Sequence, residues 1–361
     1  MELSDPLEQL VNLENLNKYK MAGLICTKVL DKLINTIQPY SDIFELCCLG
    51  DKLIIDACQE VYLDIKEKGI AFPCCISVNN IAGCFSPTKE KSIKIKKGDV
   101  VKIELGVHID GFPAVIAYTI IVNWSIDDQD SRKLNLIKSL TEASKEILNV
   151  LKPGKTNNDV QNIMDKFSKK YDLNTMSTFD DLDEIKIPGI ISYQISKFIL
   201  DGNNDDTDNF VHKCILCKNC THYPFFQRET EFEENEIYAV DLMYSTGSGK
   251  LHKSDYETNI YKRSFENWAT LKLNSSKKVI TSFNSVFPIN INKFMTNSFK
   301  LGLKECNSKK LLCPYDIYEE TQNELIGRLK FTVIIGTEPI LIAARSEDQV
   351  LNSFKTSLLK N

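Results

Sequence analysis

The 361-residue chain contains no apolar run near the roughly 18 residues that a membrane-spanning helix requires. The pattern of a secretory leader is also missing, because the stretch from Met1 to Glu14 is acidic and holds no apolar run. The 12 cysteines lack the spacing of a disulfide framework; they are scattered, with two adjacent pairs at Cys47-Cys48 and Cys74-Cys75. A phosphate-binding loop is absent from the stretch Asp241 to Lys250, since Lys250 is followed by Leu251 rather than Ser or Thr. These absences exclude a bilayer-spanning helix, a cysteine-stapled scaffold and a nucleotide loop at that position. They set the expectation of a reduced, cytoplasmic or nuclear setting.

What is present suffices for a large core: 43% of residues are hydrophobic. The length allows several domains or one large unit with an insertion. The net charge of −5 hides an asymmetry. Between Ala269 and Lys310 stand Lys272, Lys277, Lys278, Lys293, Lys300, Lys304, Lys309 and Lys310 against one acid, Glu305. Eight lysines and one acid leave a local excess of seven positive charges. Acids crowd instead at 201–208 and 229–236.

Residues 16–36 carry apolar side chains at helical spacing (Met21, Leu24, Ile25, Val29, Leu33) and stop before Pro39. A second helix is expected at 44–68. Strands are expected at 70–78, 93–95, 100–107 and 112–124, with turns at Asn79-Asn80, Lys97-Gly98-Asp99 and Asp110-Gly111. Residues 131–151 read as an amphipathic helix closed by Pro153-Gly154, and 159–171 as a second, capped by Asn157 or Asn158. Further strands are expected at 236–244, 258–263, 315–319 and 328–335. Within the lysine-rich segment, Ile280, Phe283 and Phe287 share one helical face and Ile291, Met295 and Phe299 another, which predicts two short inserted helices. Strands followed by helices, twice over, indicate a duplicated α+β unit around one antiparallel sheet.

One residue in this pattern carries a chemical demand. Gly327-Arg328-Leu329-Lys330-Phe331-Thr332-Val333-Ile334-Ile335 reads as a buried strand with Lys330 at its middle. A lone ammonium in such a strand is costly unless it is paired.

Several segments resemble methionine aminopeptidases, the type 2 form above all: Ile76-Ser77-Val78-Asn79-Asn80, Val101-Lys102-Ile103-Glu104-Leu105-Gly106, and Ile237-Tyr238-Ala239-Val240-Asp241 followed by Ser245-Thr246-Gly247. The chain resembles the proliferation-associated proteins more closely still. These are non-peptidase relatives of that enzyme that bind ribosomes, RNA and regulatory partners. The closer resemblance lies in Lys18-Tyr19-Lys20-Met21, Gly69-Ile70-Ala71-Phe72-Pro73, Phe85-Ser86-Pro87, Gly106-Val107-His108-Ile109-Asp110-Gly111-Phe112 and Lys330-Phe331-Thr332-Val333. It implies an α+β pita-bread fold: a tail at 1–14, a single domain at 15–361, a helical insertion at about 264–312 and a Cys/His loop at about 203–228.

The active enzymes hold two metal ions with two Asp, one His and two Glu. Carried onto this chain, those positions fall on Glu104, Val115, Tyr193, Asp241 and Lys330. Two carboxylates then remain of five ligands, too few to offset two dications. The substrate-side histidines fall on Cys84 and Asp201, and His108 lies outside the ligand set. The resemblance therefore implies a pseudoenzyme with no catalytic residues, no metal at the former dinuclear site and no cofactor. Lys330 is expected to occupy part of that site and pair with Glu104 and Asp241.

The lysine-rich insertion is the candidate surface for ribosome or RNA binding, because lysines displace counterions from phosphate backbones. Lys89, Lys91, Lys94, Lys96 and Lys97 form a secondary patch. The phenylalanines of the insertion read as its core. A Cys/His loop offers His212, Cys214, Cys217, Cys220 and His222 as zinc candidates. All five lie in one short segment, whereas structural zinc usually draws on two separated ones, so a reduced loop is the plainer reading. The sequence ends at Ser357-Leu358-Leu359-Lys360-Asn361 without the lysine-rich tail of many relatives, which puts in doubt the functions that rest on such a tail, part of the RNA affinity and nucleolar targeting among them.

The expectation is a monomeric adaptor for the large ribosomal subunit, its rRNA or another structured RNA. Regulatory proteins are further partners, and membranes are not. Translation, ribosome biogenesis or growth control is the process, in the cytoplasm and nucleus or nucleolus. Two other readings stay open from sequence: a metal-dependent methionine aminopeptidase, and a protein-only adaptor that uses the vestigial pocket.

Overall fold

The computed structural model describes residues 13–124, 130–176, 192–201, 213–216, 229–265 and 267–345. Helix α1 (Leu13–Thr36) buries Tyr19, Ala22, Ile25, Cys26, Val29, Leu30 and Leu33, a stripe at three- and four-residue spacing. The expected tail at 1–14 overlaps its first two residues. Helix α2 (Ile43–Gln59) starts at Asp42, whose carboxylate accepts from the Glu45 amide at 3.2 Å and the Ser92 hydroxyl at 2.7 Å. It ends well before the expected residue 68. Tyr62 adopts a left-handed conformation, φ 46°, which stops a helix, and the Lys68 ammonium binds the carbonyls of Val61 and Tyr62.

Strand β1 (Lys68–Val78) follows, then β2 (Val100–Ile109) and β3 (Phe112–Ile121). The β2–β3 turn is Asp110-Gly111, both with positive φ (53° and 80°), the two-residue hairpin whose twist matches the strands. Residues 93–95 do not form a strand. They are tied to the α1–α2 connection instead, through Tyr40 N to Ile95 O, Ile43 N to Ile93 O and a single bridge between Lys94 and Asp42.

Helices α3 (Ser131–Leu148) and α4 (Asn157–Lys170) form the second pair. Neither Asn157 nor Asn158 caps α4. Thr156 does, in a reciprocal capping box with Asp159, while the Asn157 side chain ties Thr230 N and Cys214 O. Five strands then run β4 (Asn174–Thr175), β5 (Ser192–Gln194), β6 (Cys214–Ile215), β7 (Ile237–Ser245) and β8 (His252–Lys253). The chain continues through β9 (Ile260–Arg263), α5 (Asn274–Ser282), β10 (Ile289–Asn290), α6 (Asn297–Ser308), β11 (Leu312–Pro314), β12 (Tyr318–Glu319), β13 (Ile326–Ile334) and β14 (Ile340–Ala343).

The main sheet has nine described strands in the order β1-β2-β3-β13-β7-β5-β6, with β14 beside β13 and β4 beside β7, all antiparallel. Both helix pairs cover the same face. On β3, Tyr118 lies under Arg345, which is paired with Asp31 of α1. On β13, Gly327 lies against Leu136 and Leu140 of α3. Two apolar cores result, one under α1 and α2, one under α3 and α4.

The lysine-rich segment packs a third, small core from Tyr261, Val279, Phe283, Ile291, Leu303, Cys306 and Leu312. Its second helix begins later than the apolar spacing suggests. A short 3-10 turn, Asn292–Phe294, intervenes, and Thr296 then caps α6 by accepting from Phe299 N at 3.1 Å.

Candidate functional site

Side chains alternate across a strand, so the face turned away from the helices is set by register. Glu104 on β2 pairs with Ala117 on β3, Ala117 with Lys330 on β13, and Lys330 with Asp241 on β7. These four residues form one row across the sheet, on the helix-free side. Two residues from Lys330, on the same face, stands Arg328.

Arg328 lies between the two carboxylates. Its Nη1 donates to Glu104 Oε2 at 2.6 Å and its Nη2 to Glu104 Oε1 at 2.9 Å. Its Nε donates to Asp241 Oδ1 at 2.9 Å and its Nη2 to Asp241 Oδ2 at 2.6 Å. Lys330 Nζ reaches Glu104 Oε1 at 2.6 Å and Asp241 Oδ2 at 3.0 Å. Every oxygen of both carboxylates is thus engaged by a cation. The Arg328 side chain is 2% exposed, that of Asp241 0% and that of Lys330 14%. Two positive and two negative groups cancel, which is the condition for burying them at all.

Burial alone raises the Asp241 pKa, but the charges of Arg328 and Lys330 outweigh it and hold the carboxyl below its ordinary range. Burial also opposes the charged form of Lys330, as does Arg328, yet Asp241 and Glu104 hold its pKa above the usual lysine value. The loop after β1 closes over this group. A Cβ on Gly83 would lie 2.5 Å from Arg328 Nη1, so a side chain there would push the guanidinium from its place between the carboxylates. Beside it, the Cys84 thiol is pushed up to about 12, by burial first and then by Glu104.

A third basic side chain, Lys102, lies two residues before Glu104 on the same face. It is buried, and its Nζ donates to the Asn79 carbonyl at 2.6 Å. Burial, with Arg328 adding to it, drives its pKa well below the ordinary value, which favours a neutral amine.

The other positions given by the resemblance flank this row. Val115 is a buried side chain on β3 with no donor atom. Tyr193 on β5 pairs with Ala239, and its phenol is held protonated by burial first, then by Asp201 and Cys214. Asp201 is engaged by Lys262 Nζ at 2.6 Å and by the Tyr315 hydroxyl. His108 stacks on Phe287 of the insertion, centroids 4.5 Å apart, and its Nδ1 has no hydrogen-bond partner among the described residues. Burial lowers its pKa to about 4, although Asp110 partly opposes this. A pair of dications needs open carboxylate oxygens and several further donors. The donor set here does not fit such a pair: the oxygens are taken by Arg328 and Lys330, and valine and a neutral phenol offer nothing in their place.

Lys272, Lys277, Lys278, Lys293, Lys300, Lys304, Lys309 and Lys310 are all exposed. Among the described residues, Lys300 alone of the eight has a carboxylate within 4 Å, Glu257 at 3.9 Å. The one acid of the segment is used internally: Glu305 accepts from the amides of Lys272 and Leu273 and from Ser276, fixing the start of α5. Lys89, Lys91, Lys94, Lys96 and Lys97 are exposed too, and Lys91 meets the same Glu257 at 3.1 Å. The two basic patches therefore adjoin. Asn292 of the insertion binds the carbonyls of Ser86 and Pro87 and fixes that junction.

Of the zinc candidates, Cys214 lies in β6, half-buried, its thiol pushed up to about 12 by burial. His212, Cys217, Cys220 and His222 lie outside the described residues. Among the described residues no group of three His, Cys, Asp or Glu is arranged to hold a metal.

The chain matches the model of metallopeptidase family M24 over residues 17–250. It is 32% identical over 369 residues to proliferation-associated protein A of Dictyostelium discoideum, spanning 98% of this chain and 90% of that protein. It is 33% identical over 347 residues to the curved DNA-binding protein of Schizosaccharomyces pombe, spanning 94% and 85%. A solved thermophilic Arx1 superposes with a TM-score of 0.78 at 22% identity, over 94% of this chain and 93% of that one.

Two predictions follow from the charged row. Arg328→Met strands two buried carboxylates on one ammonium and should lower stability by about 3–5 kcal/mol. Lys330→Met leaves every carboxylate oxygen with an Arg328 contact and should cost less; denaturant midpoints compare the two, and equal costs would contradict the geometry. His108 is neutral in the fold, so acid stability is lost as pH falls from the ordinary 6.5 toward about 4. His108→Phe keeps the stack on Phe287 and should remove up to about 3 kcal/mol of that loss, read from melting temperatures across this window.

Proposed function

The chain belongs to metallopeptidase family M24, in its proliferation-associated branch and with its pita-bread fold, and from that premise we propose that it is a non-peptidase adaptor for the large ribosomal subunit or structured RNA. The observation that carries the first half is the saturation of Glu104 and Asp241 by Arg328 and Lys330. A hydrolase of this kind needs those oxygens on metal, to polarise the scissile carbonyl and lower the pKa of the attacking water. Here they neutralise fixed cations. The sheet is kept and its chemistry is given up.

The second half rests on charge. Among the described residues, seven lysines of the insertion have no carboxylate within 4 Å, and the secondary patch continues the same basic surface. Such a surface on an acidic chain suits a phosphate backbone. The name of the fission-yeast relative, which speaks of binding DNA, agrees with a nucleic-acid partner. Translation or ribosome biogenesis in the cytoplasm and nucleus is the setting this reading proposes, with the protein acting as a monomer.

No methionine should be released from Met-led peptides, with manganese or cobalt added, by the wild type or by Lys330→Glu. The variant supplies a third carboxylate, but Val115 and Tyr193 still bind no metal and Arg328 still holds Glu104 and Asp241. Turnover by the wild type above a no-enzyme blank would refute the pseudoenzyme reading. Binding to purified large ribosomal subunits should weaken steeply with salt, each phosphate contact contributing about 0.7–0.9 to the logarithmic slope. Replacing Lys272, Lys277, Lys278 and Lys293 by Ala should flatten that slope and lower affinity. Binding indifferent to salt and to these lysines would move the partner to a protein surface.

A further inference from the structure

Trp268 is 93% exposed, on a chain with only two tryptophans. An indole held fully in water has no structural role in the core beneath it. It stands at the edge of the insertion, four residues before Lys272, and its neighbourhood is fixed by two contacts. Asn267 donates to the Lys310 carbonyl at 3.0 Å, and Ser264 N donates to Leu311 O at 3.0 Å. The segment that follows β9 therefore runs beside the lysine pair Lys309 and Lys310. Phe265 is 53% exposed and has the Arg263 guanidinium over its ring at 5.0 Å. Neither Lys272, Lys309 nor Lys310 has a carboxylate within 4 Å among the described residues.

We propose that Trp268 is a stacking platform for an unpaired base of an RNA strand whose phosphates are held by Lys272, Lys309 and Lys310. This rests on the phosphate-binding reading of the insertion and adds the form of nucleic acid it selects. Phosphate contacts alone do not select a single strand, because a duplex carries the denser charge. Aromatic faces do: in a duplex the base faces are stacked on one another, whereas an unpaired base can leave its neighbours and lie on a ring. Exposed aromatics between unpaired lysines are the combination used for single-strand tracking. An aromatic meant for a protein partner would instead sit in an apolar surround depleted of lysine. The neighbouring lysines favour the strand.

The test compares a labelled single-stranded oligouridine with a duplex RNA of equal length, by fluorescence anisotropy on the full chain. The variants are Trp268→Ala, Trp268→Phe and the Lys272, Lys309, Lys310 triple Ala. Trp268 is exposed, so its replacement leaves the fold intact, and a thermal melt verifies this. The wild type should prefer the single strand. Trp268→Ala should weaken single-strand binding about tenfold and leave duplex binding unchanged, and Trp268→Phe should recover part of the loss. In a Trp124→Phe background the remaining emission comes from Trp268, and saturating oligouridine should quench it. Single-strand binding that Trp268→Ala leaves untouched, while the triple lysine variant abolishes it, would overturn the stacking platform and leave the phosphate reading standing. Failure of the wild type to bind either RNA would overturn both.

Discussion

The fold closes around a buried exchange of charge. Arg328 and Lys330 on β13 face Glu104 on β2 and Asp241 on β7, and none of the four tolerates burial alone. Their pairing fixes the register of the central strands, because a shift of one residue would turn the cations to the apolar helix layer and the carboxylates away from them. Gly83 is held without a side chain so that the covering loop can approach the guanidinium. Lys102 shows the consequence of exceeding the balance. Among the described residues this third basic group on the face has no carboxylate within 4 Å, and burial with Arg328 lowers its pKa against the weaker pull of Asp99.

Guanidinium and ammonium serve the sheet as metal ions would serve it structurally, by neutralising carboxylates in a region closed to water. They differ in what they permit afterwards. A dication leaves coordination positions open for water and substrate, whereas N–H donors satisfy the oxygens and end there. The same residues that hold the row together occupy the carboxylate oxygens that a pair of metal ions would need. On the proposed reading, function lies on surfaces that the sheet supports. The insertion has its own core, and its one acid is spent on capping α5, so among the described residues all its lysines but Lys300 project with no carboxylate within 4 Å. Asn292 and Glu257 join this unit to the second basic patch.

Much of this is legible in the sequence, for physical reasons. Lys330 sits among Leu329, Phe331 and Val333, and a cation in such company demands a partner, which the matched motifs locate at Glu104 and Asp241. Arg328 is the residue that sequence reading misses. It opens the expected strand, where a charged residue usually reaches solvent, but the two-residue period already places it on the face of Lys330. Lys102 carries the same signal relative to Glu104. The length of α2 is not legible, because Tyr62 enters a left-handed turn that its residue type does not favour. The Thr156 cap is hidden by two adjacent asparagines that are equally good cap residues. The exposure of Trp268 has no sequence signal, since an indole is by type a largely buried side chain.

The account stands or falls on whether Glu104 and Asp241 are available to a metal. Titration calorimetry of the purified protein with cobalt or manganese, wild type beside Asp241→Asn, tests this most directly. The account predicts no saturable binding that depends on Asp241 at neutral pH, because the carboxylates stay on Arg328 and Lys330. Stoichiometric binding by the wild type that Asp241→Asn abolishes would contradict it, and would return the protein to the metalloenzymes.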